Sequence, residues 1–254
     1  MNLKDSVAMV TGGASGLGEA AAREFADCGA KVALLDMDEE RGNNLAEELG
    51  NNCIFIKTDV SSEESVQQAV NETVEKLGGI HAVVNCAGIG VAMKAYSSKK
   101  GPMPLDVFQK VIEINLVGTF NVIRLAVEKM ANNTPNEEGE RGVIINTASV
   151  AAYEGQVGQV AYSASKGGVL GMILPLAREF AAYGIRVMGI APGVFETPMF
   201  ANIPDAARQA LETATPFPSR LGKPSEYGLM ARQMAENPML NGTTVRLDGA
   251  LRMQ

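Results

Sequence analysis

Seven short apolar runs rich in β-branched residues recur along the chain: Val7–Val10, Lys31–Leu35, Cys53–Lys57, Ala82–Asn85, Gly142–Asn146, Arg186–Ile190 and Thr243–Leu247. Each is near strand length, and several are apolar throughout instead of alternating, the pattern of strands covered by helices on both faces. Between them lie stretches with helical periodicity: Gly18–Cys28, Glu39–Leu49, Ser62–Leu77, Leu105–Met130, Tyr162–Tyr183, Asp205–Thr213 and Ser225–Ala235. Strand and helix alternating seven times predicts a single α/β domain over residues 1–254, a doubly wound, seven-stranded parallel sheet with helices on both faces. An eight-unit barrel would need one further unit and has no use for a glycine-rich turn after its first strand. Polar stretches at Lys94–Pro104 and Asn132–Gly142, and a proline-bearing one at Gly193–Arg220, interrupt the rhythm. Ligands of open α/β sheets bind beyond the carboxyl ends of strands, so the loops after the fourth and sixth strands are the expected substrate walls.

Composition narrows the function. Hydrophobic residues make up 46% of the 254 and charged residues 20%, which excludes an intrinsically disordered chain. The formal charge of −7 provides no basic excess for phosphate backbones, and tryptophan is absent, so nucleic acid is not an expected ligand. Cys28, Cys53 and Cys86 are spaced for neither a CxxC pair nor a disulfide framework, which predicts reduced thiols. No uninterrupted apolar run approaches the ~18 residues of a membrane span. The opening MNLKDSVAMVTGG passes straight into a strand and a turn. A cytoplasmic protein is expected, or one of the mitochondrial matrix in a eukaryotic host. The single histidine, His81, precedes the fourth strand at the end of the sheet away from the ligand edge. A Ser-His-Asp triad and a histidine-rich metal site are therefore not expected.

Glycine, at 27 residues, is in excess, and its placement is informative. The first strand runs into Thr11-Gly12-Gly13-Ala14-Ser15-Gly16-Leu17-Gly18 and then a helix. Small residues let the backbone turn sharply and aim helix N-terminal amides at a pyrophosphate, making Gly12, Ser15, Gly16, Leu17 and Gly18 a Rossmann-like dinucleotide cradle. The spacing is GxxxGxG, which differs from GxGxxG, and no GK[ST] follows. Asp36 ends the second strand, 24 residues beyond Gly12, close to the ~20-residue interval at which an acid reaches the ribose hydroxyls. Its charge, with Asp38, Glu39 and Glu40 nearby, favours NAD over NADP. Asp59-Val60, after the third strand, is placed either to meet the adenine amino group or to cap the next helix.

Tyr162-Ser163-Ala164-Ser165-Lys166 places a phenol and an ammonium at i and i+4, on one helix face. A neighbouring ammonium favours phenolate, so the pair can cycle a proton near neutral pH. Ser149, at the end of the fifth strand, offers a hydroxyl to the oxygen of a substrate.

Together with Asn85-Cys86-Ala87-Gly88, Asn115 and Pro192-Gly193, these motifs resemble the short-chain dehydrogenase/reductase family in order and spacing over essentially the full length. The resemblance implies Tyr162 as acid/base and Lys166 as its pKa modulator and ribose ligand. It implies Ser149 as the group that orients the carbonyl or hydroxyl, with Ser149 and Tyr162 meeting the substrate. Asn115 would hold a water linking Lys166 to solvent. Cys86, Ala87 and Gly88 would pack on the adenosine side, and Pro192, Gly193, Phe195 and Thr197 would lie at the nicotinamide.

The runs GNNCIF, GTFNVIRLA, RGVIINTASVAAYEGQVGQVAYSASKGG, PFPSRLG and RLDGALRMQ are similar to a narrower group, the type-2 3-hydroxyacyl-CoA dehydrogenases, also described as type-10 17β-hydroxysteroid dehydrogenases. This implies NAD-dependent oxidation of a 3-hydroxyacyl-CoA to the 3-ketoacyl-CoA, and the reverse, by a homotetramer. A hydroxysteroid or general secondary-alcohol dehydrogenase is the alternative, and a non-catalytic NAD(H)-binding scaffold is another. Lys94, Lys99 and Lys100 are candidates for CoA phosphates, or else a solvated charge run. Met199, Phe200, Ile203 and Leu211 either line an acyl pocket or pack a lid.

Overall fold

The computed structural model describes residues 1–200 and 204–253. Its seven main strands are β1 (Val7–Thr11), β2 (Lys31–Asp36), β3 (Cys53–Lys57), β4 (Ala82–Asn85), β7 (Gly142–Thr147), β8 (Ile185–Pro192) and β9 (Thr244–Leu247). They form one parallel sheet in the order β3-β2-β1-β4-β7-β8-β9. The winding reverses between β1 and β4, which opens a crevice at their carboxyl ends.

Alternate residues of each strand enter opposite cores, which is why the runs are apolar throughout. Val7, Met9, Val83, Ile144 and Val187 face α3 (Glu63–Leu77), α5 (Gly118–Met130) and α6 (Val160–Phe180). Ala8, Val10, Val84, Ile145 and Met188 face α1 (Gly16–Asp27), α2 (Glu39–Leu49) and α8 (Pro224–Glu236). The stretch Val160–Tyr183 has the length and composition of a bilayer-crossing helix. Ile173, Leu176, Ala177 and Phe180 of that stretch lie in the first core.

Two local features escape the periodicity. The expected helix Leu105–Met130 is α4 (Leu105–Ile112), a π-helical turn at Glu113–Val117, and α5. The wider turn rotates Asn115 inward until it is fully buried. One turn of altered pitch barely disturbs an apolar count over 26 residues. The expected loop Lys94–Pro104 holds an antiparallel hairpin, β5 (Tyr96–Ser97) and β6 (Gly101–Pro102), too short to leave an alternating pattern. The lid segment holds α7 (Asp205–Ala214).

A buried cation ties α8 to the sheet. Arg186 of β8 is 6% exposed, and its Nη1 donates to the carbonyls of Met234 and Leu240 at 2.7 and 2.8 Å. Nη2 donates to the Ala235 carbonyl and Nε to Glu140. The guanidinium thus satisfies carbonyls at the helix end that have no partner within the helix. Arg186→Ala is expected to lower the unfolding free energy by about 2–4 kcal/mol, because three carbonyls lose their donor and Glu140 keeps only the Met1 ammonium as a charged partner. Arg186→Lys should recover only part of this, since an ammonium lacks the planar fork. Denaturant unfolding followed by circular dichroism measures both, and a loss below ~1 kcal/mol for Arg186→Ala would refute the assignment.

Candidate active site

The glycine loop adopts the form its composition allows. Gly12 and Gly16 have φ of +63° and +57°, in the left-handed region. A Cβ on Gly12 would lie 2.8 Å from the Ala87 nitrogen, and one on Gly18 would strike the Gly12 carbonyl. Ser15 caps α1 in extended conformation, its side chain makes no capping hydrogen bond, and the residue borders the crevice. Asp36 already works within the protein. Its Oδ2 accepts from Ala14 N at 3.0 Å and its Oδ1 from Asp38 N at 3.1 Å, so the acid also holds the glycine loop. Asp59 Oδ1 accepts from the amide and hydroxyl of Ser61 in the turn before α3, whose N-cap is Ser62, so the helix-capping alternative is not met; Asp59 borders the crevice.

The crevice is a cavity of about 890 Å³, and every cofactor-side residue named from the sequence borders it, from Gly12 to Thr197. Such a volume, beside a backbone cradle that a Cβ would fill, fits a dinucleotide. Asp106, Gln109, Lys110 and Glu113 also border it. Sequence reasoning missed this group, although its i, i+3/i+4, i+7 spacing places it on one helix face.

At the nicotinamide end, α6 carries Tyr162 and Lys166 one turn apart. The Ser149 hydroxyl, at the end of the sheet, hydrogen-bonds the Tyr162 phenol. Ser149 Oγ also accepts from Ala151 N at 3.1 Å, which fixes the hydroxyl. Lys166, 4% exposed, donates to the Thr147 carbonyl at 2.7 Å, and its Nζ lies 5.9 Å from the Tyr162 ring centroid.

Burial dominates both pKa values. It pushes the Tyr162 phenol up, opposed by the Ser149 hydrogen bond, and pushes Lys166 down to about 8. The expected net depression of the phenol is therefore not met. The phenol loses more from desolvation than it gains from its neighbours, and the lysine is itself desolvated.

The Asn115 side chain is engaged within the protein: Nδ2 donates to Ile89 O and Ser165 Oγ, and Oδ1 accepts from Ile89 N. Two further readings are sharpened. Gly88 sits on the catalytic side instead of the adenosine side, where a Cβ would lie 3.1 Å from Asn115 Oδ1 and 3.6 Å from Lys166 Nζ. Of the lid residues, Met199 and Phe200 border the cavity, whereas Leu211 packs with Val194, Leu221 and Leu251. Ile203 lies outside the described residues.

Lys94 borders a second cavity of about 650 Å³ beside the loop after Ser149, and Lys99 and Lys100 are exposed on the hairpin. His81 lies away from the crevice, where its Nδ1 accepts from Val7 N at 3.1 Å. Among the described residues, no group of three His, Cys, Asp or Glu is placed to hold a metal ion.

Comparison with known proteins agrees with this geometry. Residues 6–208 match the family model described as short chain dehydrogenase. The chain is 54% identical to the 3-hydroxyacyl-CoA dehydrogenase type-2 of Rattus norvegicus over 254 residues, covering 100% of this chain and 97% of that protein. Among solved structures, the 3-hydroxyacyl-CoA dehydrogenase type-2 of Mycobacterium avium superposes with a TM-score of 0.95 at 41% identity, covering 98% of this chain and 97% of that one. A 3-ketoacyl-(acyl-carrier-protein) reductase from Brucella melitensis complexed with NADH superposes with a TM-score of 0.89 at 30% identity, covering 99% and 100%. Doubly wound sheet, glycine cradle, serine, tyrosine and lysine thus converge, and the chain belongs to the short-chain dehydrogenase family of nicotinamide-dependent oxidoreductases.

Proposed function

We propose that this enzyme oxidises a 3-hydroxyacyl-CoA to the 3-ketoacyl-CoA with NAD, and catalyses the reverse reduction. The observation that carries this reading is the convergence of Ser149, Tyr162 and Lys166 at the inner end of the dinucleotide-sized crevice. The relatives named for 3-hydroxyacyl-CoA dehydrogenation support the substrate class. The glycine loop, Asp36, Lys166 and the Pro192–Thr197 segment would hold the dinucleotide, whose nicotinamide would supply the hydride acceptor.

In the oxidative direction the Tyr162 phenolate takes the proton of the 3-hydroxyl. Ser149 donates to the same oxygen and holds it as it becomes a carbonyl. Lys166, anchored on Thr147, favours the phenolate to the extent that it keeps its own proton. Asp36 accepts from the ribose hydroxyls and repels a 2′-phosphate, the basis for NAD over NADP. A homotetramer is part of the proposal: Val117 and Phe120, beside and on α5, and Val160 and Leu174 of α6 leave an exposed apolar surface that identical chains would bury.

Tyr162→Phe should lower turnover by about 10²–10⁴-fold while NADH binding persists, since the phenol transfers a proton that no neighbour can supply. In the native enzyme, oxidation should rise with pH as the burial-raised phenol ionises, and reduction should fall. Ser149→Ala, which removes the hydrogen bond favouring phenolate, should move that midpoint upward. Full activity in Tyr162→Phe, or a midpoint moved downward in Ser149→Ala, contradicts the scheme.

Asp36→Asn keeps an oxygen for Ala14 N but removes the charge. The ratio of kcat/KM for NAD over NADP should then fall by about five- to tenfold, the worth of one partly screened charge repulsion. An unchanged ratio would dissociate Asp36 from cofactor choice. For the acyl carrier, Lys99→Ala with Lys100→Ala should raise KM for acetoacetyl-CoA more than for an uncharged hydroxysteroid. Equal changes would remove the hairpin from the CoA site.

A further inference from the structure

We infer that Tyr227 of α8 is a positioning residue for Lys166, acting through Thr147 from the opposite face of the sheet. The inference rests on the reading of Lys166 and Tyr162 as parts of the reaction centre. Lys166 projects from α6 on one side, and Tyr227, fully buried, comes from α8 on the other. They meet at one residue. The Thr147 carbonyl accepts from Lys166 Nζ, and the Thr147 hydroxyl lies 2.7 Å from the Tyr227 hydroxyl.

Counting protons orders the contacts. Thr147 Oγ1 has one hydrogen, and the carbonyl of Asn85, which can only accept, lies within hydrogen-bond distance. With the threonine proton committed there, the Tyr227 hydroxyl must donate to Thr147 Oγ1. Cys86 Sγ, 3.3 Å from the Tyr227 oxygen, then donates its thiol hydrogen to that oxygen. The result is a directed chain from Cys86 S–H to Tyr227 O–H, to Thr147 O–H, to Asn85 C=O, with each hydroxyl giving one proton and receiving one. Burial pushes the Cys86 thiol up, so it keeps the hydrogen that the chain requires.

The side chain of Thr147 is thereby locked between two elements, and its carbonyl is the only protein acceptor found for Lys166 Nζ among the described residues. Tyr227 itself is held firmly. Gly228, next to it, lets α8 approach α1 so closely that a Cβ would lie 2.5 Å from the Ala20 carbonyl, and Arg186 fixes the far end of α8.

The test compares the full-length chain with Tyr227→Phe, Thr147→Val, the double variant and Thr147→Ser, using acetoacetyl-CoA and NADH. Each of Tyr227→Phe and Thr147→Val is expected to lower kcat by about three- to tenfold, the worth of one neutral hydrogen bond, with KM for acetoacetyl-CoA unchanged. NADH affinity, read by fluorescence titration without turnover, should weaken by a similar factor in both. Because the two groups act in series, the double variant should be no worse than the poorer single. Thr147→Ser keeps the hydroxyl and should recover most of what Thr147→Val loses.

Wild-type kcat and NADH affinity in Tyr227→Phe overturn the inference, as do losses that multiply in the double variant or a change confined to KM. If Tyr227→Phe does not fold, the Thr147→Ser and Thr147→Val pair decides: equal activity in the two overturns the inference, and recovery by serine supports it. Tyr162→Phe, run alongside, separates the two levels. Activity in that variant removes the underlying reading, whereas an inactive Tyr162→Phe beside a wild-type Tyr227→Phe removes only the role of Tyr227.

Discussion

The structure depends on how a parallel sheet ends. Ladder hydrogen bonds stop at the carboxyl ends of β1, β4 and β7 just where the chain must open to admit a ligand, and Thr11, Asn85, Asn146 and Thr147 there are buried and must find partners within the protein. Side chains take over from the ladder. Thr11 Oγ1 accepts from the amides of Cys86 and Ala87, Asn85 Nδ2 donates to Asn146 Oδ1 at 2.8 Å, and the Thr147 hydroxyl donates to the Asn85 carbonyl. This seam lets three strand ends stay in register while the loops beyond them diverge, and the glycine cradle, Ser149 and the anchor of Lys166 all hang from it.

The same burial that stabilises the seam sets the chemistry. Lys166 is buried and Tyr162 half-buried at the crevice wall, and desolvation drives both toward their neutral forms. A phenol that must ionise to take a proton therefore relies on the few groups that remain: the Ser149 hydroxyl and a lysine that keeps its charge only while the pH stays near or below about 8. Fixed donors act more strongly on a developing charge than mobile solvent does, and they need no reorganisation when the charge appears. The pressure that opposes phenolate in the resting protein thus accompanies the preorganisation that a proton transfer exploits.

Side chains that do not touch the crevice contribute by constraint. Arg186 caps α8, α8 seats Tyr227, and Tyr227 abuts the residue that receives Lys166. A stability determinant and a catalytic group are joined by a short run of buried contacts, so substitutions in β8 and α8 bear on the site although none of these side chains meets a ligand.

Much of this was legible in the chain alone. Apolar runs buried on both faces, alternating with helical periods, determined a parallel sheet covered by helices, and seven units with a glycine-rich first turn made it doubly wound instead of a barrel. The spacing of Gly12, Gly16, Gly18, Asp36, Ser149, Tyr162 and Lys166 determined which residues would share one edge, because a strand-helix repeat brings every strand's carboxyl end to the same side. Local pitch and proton placement were not legible. The π-helical turn that buries Asn115, the two-residue strands of the hairpin, the seat of Gly88 and the upward shift of the Tyr162 phenol were decided only by tertiary structure. Each depends on what the rest of the fold packs against a group, and neither desolvation nor a contact across the sheet has a period along the sequence.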